Sequence, residues 1–287
     1  MSLPLYYYLA ITAVYILMTW SLYLPYRVAH LHFMVVANMA ISGYFGGYAA
    51  INWHWSFLAV FAAGFLIGAL VSFIVSIAIG DAPTFAVVIV GFTFIYITKT
   101  VIENWPAMGS TMGMFGIPLV NHILLYAYLF VLVTGFFIYR FEHSRLGRAA
   151  SAIFIHRELA TSFGVNTKYL GMFLQTWAGA IGGATGVLYG FIMNSLFPNF
   201  FTFPIIGATM TMLFLGGYTT MWGPLLAAPV LWGAPLLLPT AVASWRQIIY
   251  GVLLIVILLL RPEGAITRQF IAKVQNTLFR WMRIKRA

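Results

Sequence analysis

Residues 169–192 read "YLGMFLQTWAGAIGGATGVLYGFI". About 20 mainly apolar residues in a helix cross the ~30 Å hydrocarbon layer of a bilayer, and this run has that length. Ala178, Gly182, Gly186 and Gly190 recur every fourth residue, so one face of such a helix is nearly flat. A neighbouring backbone can then approach closely, which is how helices associate in lipid, where burying apolar surface brings no gain. Gly43 with Gly47, and Gly64 with Gly68, repeat the spacing. The stretch therefore predicts a membrane span packed among partners of the same kind.

Runs of comparable character fall near Leu5–Leu24, His32–Ile51, Trp55–Gly80, Thr84–Ile102, Ile123–Tyr139, Tyr169–Ile192, Phe203–Thr219, Pro224–Thr240 and Ile248–Leu260. The fold class is all-α: a polytopic transmembrane helix bundle of about 8–10 spans, with broken or re-entrant helices expected at two places. These are "LPYRVAHLH", ahead of the second run, and the short Gly/Pro-rich turn in "GGYTTMWGPLLAAP". Residues 1–264 form the membrane domain, and 265–287 a basic amphipathic tail. The start, "MSLPLYYYLAITAVYILMTWSLYLPYR", has no basic residue ahead of its apolar run, so it reads as a retained first span.

The 287 residues are 62% hydrophobic and only 7% charged, which soluble domains do not reach. Fifteen basic residues against five acidic ones leave +10. The cations cluster, so they report orientation rather than an affinity for nucleic acid. Arg140, Arg145, Arg148, Arg157 and Lys168 lie between the fifth and sixth runs; Arg261, Arg268, Lys273, Arg280, Arg283, Lys285 and Arg286 follow the last. The positive-inside bias assigns both regions to the cytoplasm, and the four spans between them allow it. Residues 103–122 and the N-terminus then belong to the opposite side. In the tail, Ile266, Phe270, Val274, Leu278, Trp281 and Met282 fit either an interfacial helix on an anionic leaflet or an unstructured basic anchor.

The chain has no cysteine, no G-x-x-x-x-G-K-[ST], no H-E-x-x-H and no G-x-S-x-G. No nucleotide hydrolysis, thiol chemistry or metal centre is expected of it. Asp81, Glu103, Glu142, Glu158 and Glu263 are the five acids, each at the edge of a run or in a loop. No carboxylate is left inside the membrane for ion-coupled transport. His30 and His32, at the Pro25 break, are either a proton relay or satisfied interfacial side chains. Lys99 and Glu103, four residues apart, suit a border ion pair.

One segment stays out of the lipid: "GRAASAIFIHRELATSFGVN", 147–166. Ala149, Ala152, Ile153, His156, Ala160 and Phe163 fall at offsets 0, 3, 4, 7, 11 and 14, one stripe of a helix, and Gly164 supplies a left-handed stop. Such a helix either inserts into a groove of a soluble partner and passes on rigid-body motion, or lies on lipid headgroups. Periodicity leaves both open.

The segment resembles the cytoplasmic coupling loop of the branched-chain amino acid permeases of bacterial ABC importers, whose pattern is close to G-R-A-x-x-A-I-x-x-x-x-x-A-A-x-x-x-G-[IV]-N. Gly147, Arg148, Ala149, Ala152, Ile153, Ala160, Gly164, Val165 and Asn166 match it without a gap. Phe154, Ile155, His156 and Arg157 stand where the family usually has R-E-N-E. Leu215, Gly216, Gly217, Gly223 and Pro224 match the late L-G-G-x-G-[ST]-x-x-G-P motif, with Tyr218 where Gly is common and Ala228 where a second Gly is usual. Arg261, Pro262 and Gly264 match the terminal R-P-x-G-L. "AHLHFMVVANMAISGYFGGYAA" and "MGMFGIP" are similar to an early segment and an extracytoplasmic loop of the family.

The resemblance implies a permease subunit, not an enzyme, in a bacterial inner membrane. Its partners would be a second permease (a copy or a paralogue), two cytoplasmic ABC ATPases and an extracytoplasmic solute-binding protein. This chain would hold no cofactor, since ATP and Mg would sit on the ATPases. Residues 140–168 would carry ATPase coupling through Gly147, Arg148, Ala149, Ala152, Ile153, Glu158, Ala160 and Gly164. The solute would be a branched-chain or related small amino acid or amide. His32, Asn38, Gln175 and Thr209, with the interruption at Gly216 and Gly217, are the residues expected to line its path. The alternative is a channel or facilitator for a small polar solute that works without ATP.

Overall fold

The computed structural model describes residues 3–80 and 82–233, with isolated positions between 245 and 264. The ninth run lies largely outside the described residues, and so do the tail, residues 234–240 of the eighth run, Asp81 and Glu263.

Ten helices follow one another in this described region. They are α1 (Leu3–Tyr26), α2 (Met34–Asn52), α3 (Phe57–Ile79), α4 (Thr84–Glu103), α5 (Ile123–Glu142), α6 (Arg145–Ile155), α7 (Arg157–Ser162), α8 (Thr167–Met193), α9 (Phe203–Gly216) and α10 (Trp222–Gly233). A two-residue antiparallel ladder joins β1 (Met114–Phe115) to β2 (Ser195–Leu196). The expected all-α bundle is what the chain forms. Six described segments are long and apolar enough to cross a membrane: those of α1 to α5, and Pro198–Gly216 containing α9. α8, at 27 residues the longest described helix, is not among the six, because its glycines, with polar residues such as Gln175 and Thr176, dilute its hydropathy.

α8 is instead the axis of the bundle, buried from Ala178 through Phe191. Its small residues form two faces. On one, an added Cβ at Gly182 would collide with Val35, and one at Gly186 with the Met39 carbonyl, so α2 lies directly against it. On the other, Gly179 and Gly183 meet Gly64 and Gly68 of α3 backbone to backbone, and Gly179 also meets the Ser72 side chain. α1 and α2 are inner helices, with 72% and 78% of their spanning windows buried, against 22% for α3 and 28% for α4. The outer helices turn Leu66, Leu70, Ile74, Phe85, Ile89, Leu125, Leu132 and Phe136 outward, which suits lipid contact.

Successive spans alternate in direction, so the 140–168 segment, the Tyr26 end of α1 and the turn between α9 and α10 share one end of the bundle. The β1–β2 ladder and the turn at Trp53–Trp55 lie at the other. There Phe45, Tyr48, Trp53 and Trp55 pack ring on ring with the tryptophans exposed, as aromatic residues do at a membrane–water boundary. Lys99 and Glu103 pair at 3.5 Å, also at that end. Both expected interruptions occur. α1 ends at Tyr26, one residue after Pro25, and Ala29 turns left-handed at φ 60° before α2 begins; α9 and α10 are separated by Gly217–Met221.

Candidate functional site

The 147–166 stretch differs from the single helix its stripe predicts. Ser144 caps α6 by accepting from the Gly147 amide (3.2 Å). At His156 the backbone is extended (φ −156°, ψ 100°), and its ring Nδ1 accepts from the Leu159 amide to start α7. His156 therefore ends one helix and caps the next, a role that 3.6-residue periodicity does not register. Gly164 has φ +80°, the left-handed stop expected of it, and Asn166 caps α8 through the Tyr169 amide (2.9 Å).

The break sorts the stripe into two groups. Gly147, Ile153 and Ala160 are buried against the chain's own helices, with Ala149 half-buried. Arg148, Ala152, Glu158 and Gly164 are exposed. The outward apolar side chains are Ile155 (83% exposed), Leu159 (54%) and Phe163 (80%). Gly147 cannot be enlarged, because a Cβ would strike the Phe141 carbonyl and fix the α5–α6 joint differently.

α6 is seated on a node at the end of the bundle that sequence patterns did not reveal. The Tyr26 ring meets Phe154 of α6 (centroids 5.5 Å apart), Phe214 of α9 (5.4 Å) and Tyr218 of the α9–α10 turn (5.3 Å), and Phe154 meets Tyr218 at 5.6 Å. Arg27, only 6% exposed, donates to the Ser151 hydroxyl of α6 and to the Thr219 carbonyl of the turn (3.4 Å). Phe154 and Tyr218, two of the positions where the chain departs from the pattern it resembles, are thus neighbours.

The turn itself is stiff. Gly216 and Gly223 touch backbone to backbone, Gly217 adopts φ +109°, and Gly264 lies against Gly217, so the late glycine motif meets this later glycine in space. Two more helices hold it. Trp20 Nε1 donates to the Met221 carbonyl (3.0 Å), and Glu142 Oε1 accepts from both the Tyr23 hydroxyl and the Met221 amide (2.8 Å). Glu142→Ala would remove the acceptor shared by two part-buried donors, a loss of about 2 kcal/mol. Its thermal midpoint in detergent should fall clearly below that of the parent, with Glu142→Gln, which keeps an acceptor oxygen, falling less.

The residues expected to line a path divide likewise. The Gln175 amide lies 2.9 Å from His30 Nδ1 and donates to it, while His32 is fully buried with neither ring nitrogen partnered. Both histidines lie in the 27–33 connection, outside the flanking spans. Burial, reinforced by Arg157, pulls the His30 pKa down to about 4; burial, reinforced by His30, pulls that of His32 to about 3, so both are neutral at pH 7. Asn38 donates to Ser72 Oγ (2.6 Å) and weakly to the Gly68 carbonyl (3.4 Å), and Ser42 to the Gly64 carbonyl (3.1 Å). The buried Asn38 Oδ1 and Gln175 Oε1 have no partner. A seam of neutral polar groups thus runs along α2, α3 and α8. Thr209 bonds only to carbonyls of its own helix, at Ile205 and Ile206, and Gly216 and Gly217 belong to the stiff turn. Among the described residues no group of three or more His, Asp or Glu is arranged to hold a metal ion.

No curated protein and no solved structure matches the chain. A family model described as "Branched-chain amino acid transport system / permease component" matches residues 5–258, which takes in the bundle, the seated segment and the glycine turn. The chain is therefore a multi-pass membrane protein that belongs to the branched-chain amino acid transport permease family.

Proposed function

We propose that this chain is the membrane permease subunit of an ATP-driven importer, with residues 140–168 and the C-terminus in the cytoplasm of a bacterial inner membrane. The observation that carries this reading is the row Ile155, Leu159 and Phe163, apolar and outward-facing on a segment outside the spans and seated on the bundle. An exposed apolar row of this kind calls for a protein surface to cover it. The occupant is one of two ABC ATPases, which hold ATP and Mg; a second permease and an extracytoplasmic solute-binding protein complete the assembly. Arg148, Ala152, Glu158 and Gly164 flank the row, and Arg148 and Glu158 make the contact polar at its rim. Gly147, Ala149, Ile153 and Ala160 couple from within by fixing the segment to its own bundle.

The solute is a small amino acid or amide. The seam at His32, Gln175 and Asn38 offers it neutral donors and acceptors without the carboxylates that would couple transport to an ion.

Reconstitution tests the reading. The chain, expressed with its partner permease, binding protein and ATPases, should be isolated as one complex and should take labelled L-leucine into proteoliposomes only with ATP. Uptake by this chain alone, indifferent to ATP, would establish a facilitator instead.

A further inference from the structure

The 140–168 segment is joined covalently to α5 and α8, and α6 is held non-covalently by two further elements. Phe154 sits among Tyr26, Phe214 and Tyr218, side chains from α1, α9 and the turn. One turn earlier, Ser151 accepts from the buried Arg27, which also reaches the Thr219 carbonyl. Interlocking ring pairs of this kind resist shear more than a single contact does, and a charge-assisted bond from a buried guanidinium is expensive to leave unmade. The seat they form cannot absorb a push by bending. Gly216 and Gly223 are already in backbone contact, Gly264 closes on Gly217, and Trp20 and Glu142 tie Met221 to α1 and α5. By contrast, the joint to α8 is loosely surrounded at Gly164, where an added Cβ would meet nothing within 4 Å.

We propose that Phe154, Tyr218 and Arg27 are positioning residues that route movement of the segment into the α9–α10 turn and α1 as one stiff piece, in preference to the covalent joint to α8. This rests on the reading of the segment as the ATPase-docking lever. α7 and its flanking residues form the receiving half, carrying Leu159 and Phe163 outward; α6 is the delivering half, and His156 is the joint between them.

The native chain has no cysteine, so a single reporter is clean. Asn199, exposed in the turn that leads into α9 at the opposite end, is replaced by cysteine in the assembled complex. Its labelling by a membrane-impermeant maleimide is followed with and without a non-hydrolysable ATP analogue. In the N199C parent the labelling rate is expected to change about tenfold between the two conditions. With Phe154→Ala or Tyr218→Ala added, the ATPases should stay bound and hydrolyse ATP, while the change falls to about twofold or less. Phe154→Tyr should restore it. Tyr218 lies on the bundle side, away from the outward row, so Tyr218→Ala decides the matter if Phe154→Ala sheds the ATPases. A full nucleotide response in Tyr218→Ala would overturn this routing and leave the docking reading intact. No response in the parent, or no ATPase bound to it, would overturn the docking reading and the routing together.

Discussion

Gly186→Leu is expected to yield a chain that enters the membrane but is not recovered as folded, monodisperse protein. At this position even a single added carbon would strike the Met39 carbonyl of α2, and the contact is with backbone, which no rotamer change can relieve. Leucine would force α2 and α8 apart along the axis of the bundle. In a soluble core the extra side chain would at least bury apolar surface, but a lipid-solvated helix already has that surface away from water, so separation is not opposed by a hydrophobic gain. Overpacking of this kind costs about 3 kcal/mol or more, and at ~1.4 kcal/mol per decade the folding equilibrium constant falls more than a hundredfold. Gly183→Leu should behave alike, since its added carbon would meet Gly64 and Gly68 of α3. Gly207 supplies the control: nothing lies within 4 Å of a Cβ there, and Gly207→Leu should elute from size exclusion as the parent does. Equal recovery of Gly186→Leu and Gly207→Leu would mean that α8 is not the axis.

The same residues explain what was legible beforehand. Small residues every fourth position on 169–192, 43–47 and 64–68 announced close-packed helices, and those stretches do meet one another, α2 and α3 each taking a different face of α8. The end of α1 was readable from the break at Pro25, whereas the caps at Ser56 ahead of α3 and Asn166 ahead of α8, which accept from helix amides, emerged only in the structure. Hydropathy, by contrast, undervalues α8, since glycine contributes little to an apolar average however deeply it is buried.

The seat of the 140–168 segment was not legible. Tyr23 and Glu142 are 119 positions apart, Arg27 and Ser151 are 124, and Trp20 and Met221 are 201, so no window or period joins them. Nor does any motif name an aromatic node: Tyr26, Phe154, Phe214 and Tyr218 are individually ordinary in a chain with 25 phenylalanines and 16 tyrosines. The one available signal was indirect. Phe154 and Tyr218 are both departures from the pattern the chain otherwise follows, and two departures that touch point to one local rearrangement of the packing. The break at His156 escaped for a different reason. The stripe runs across it unbroken in the sequence, and only the extended backbone at that residue separates α6 from α7.

Leu159→Asp combined with Phe163→Asp is the second large effect expected. Both side chains point away from the bundle, so placing carboxylates there leaves the packing of Ala160 and Ile153 undisturbed, and the amount of folded chain should not change. If an ATPase covers this row, two charges are then driven into an apolar contact. A central apolar anchor of an interface is worth about 2 kcal/mol or more, and losing it weakens binding by roughly thirtyfold. ATPase co-purifying with the permease should drop to background, and ATP-driven uptake should drop with it. The contrasting arrangement, a segment resting on lipid headgroups, makes the opposite forecast. Carboxylates would lift the row off an anionic leaflet, since both the apolar contact and the charge balance would oppose attachment, but the ATPases would stay with the complex. Ala160→Leu distinguishes the two faces of the same helix. Because Ala160 is buried, a larger side chain there displaces α7 from its own bundle, so that variant should lose folded chain as well as ATPase, whereas the paired aspartates should cost the ATPase alone.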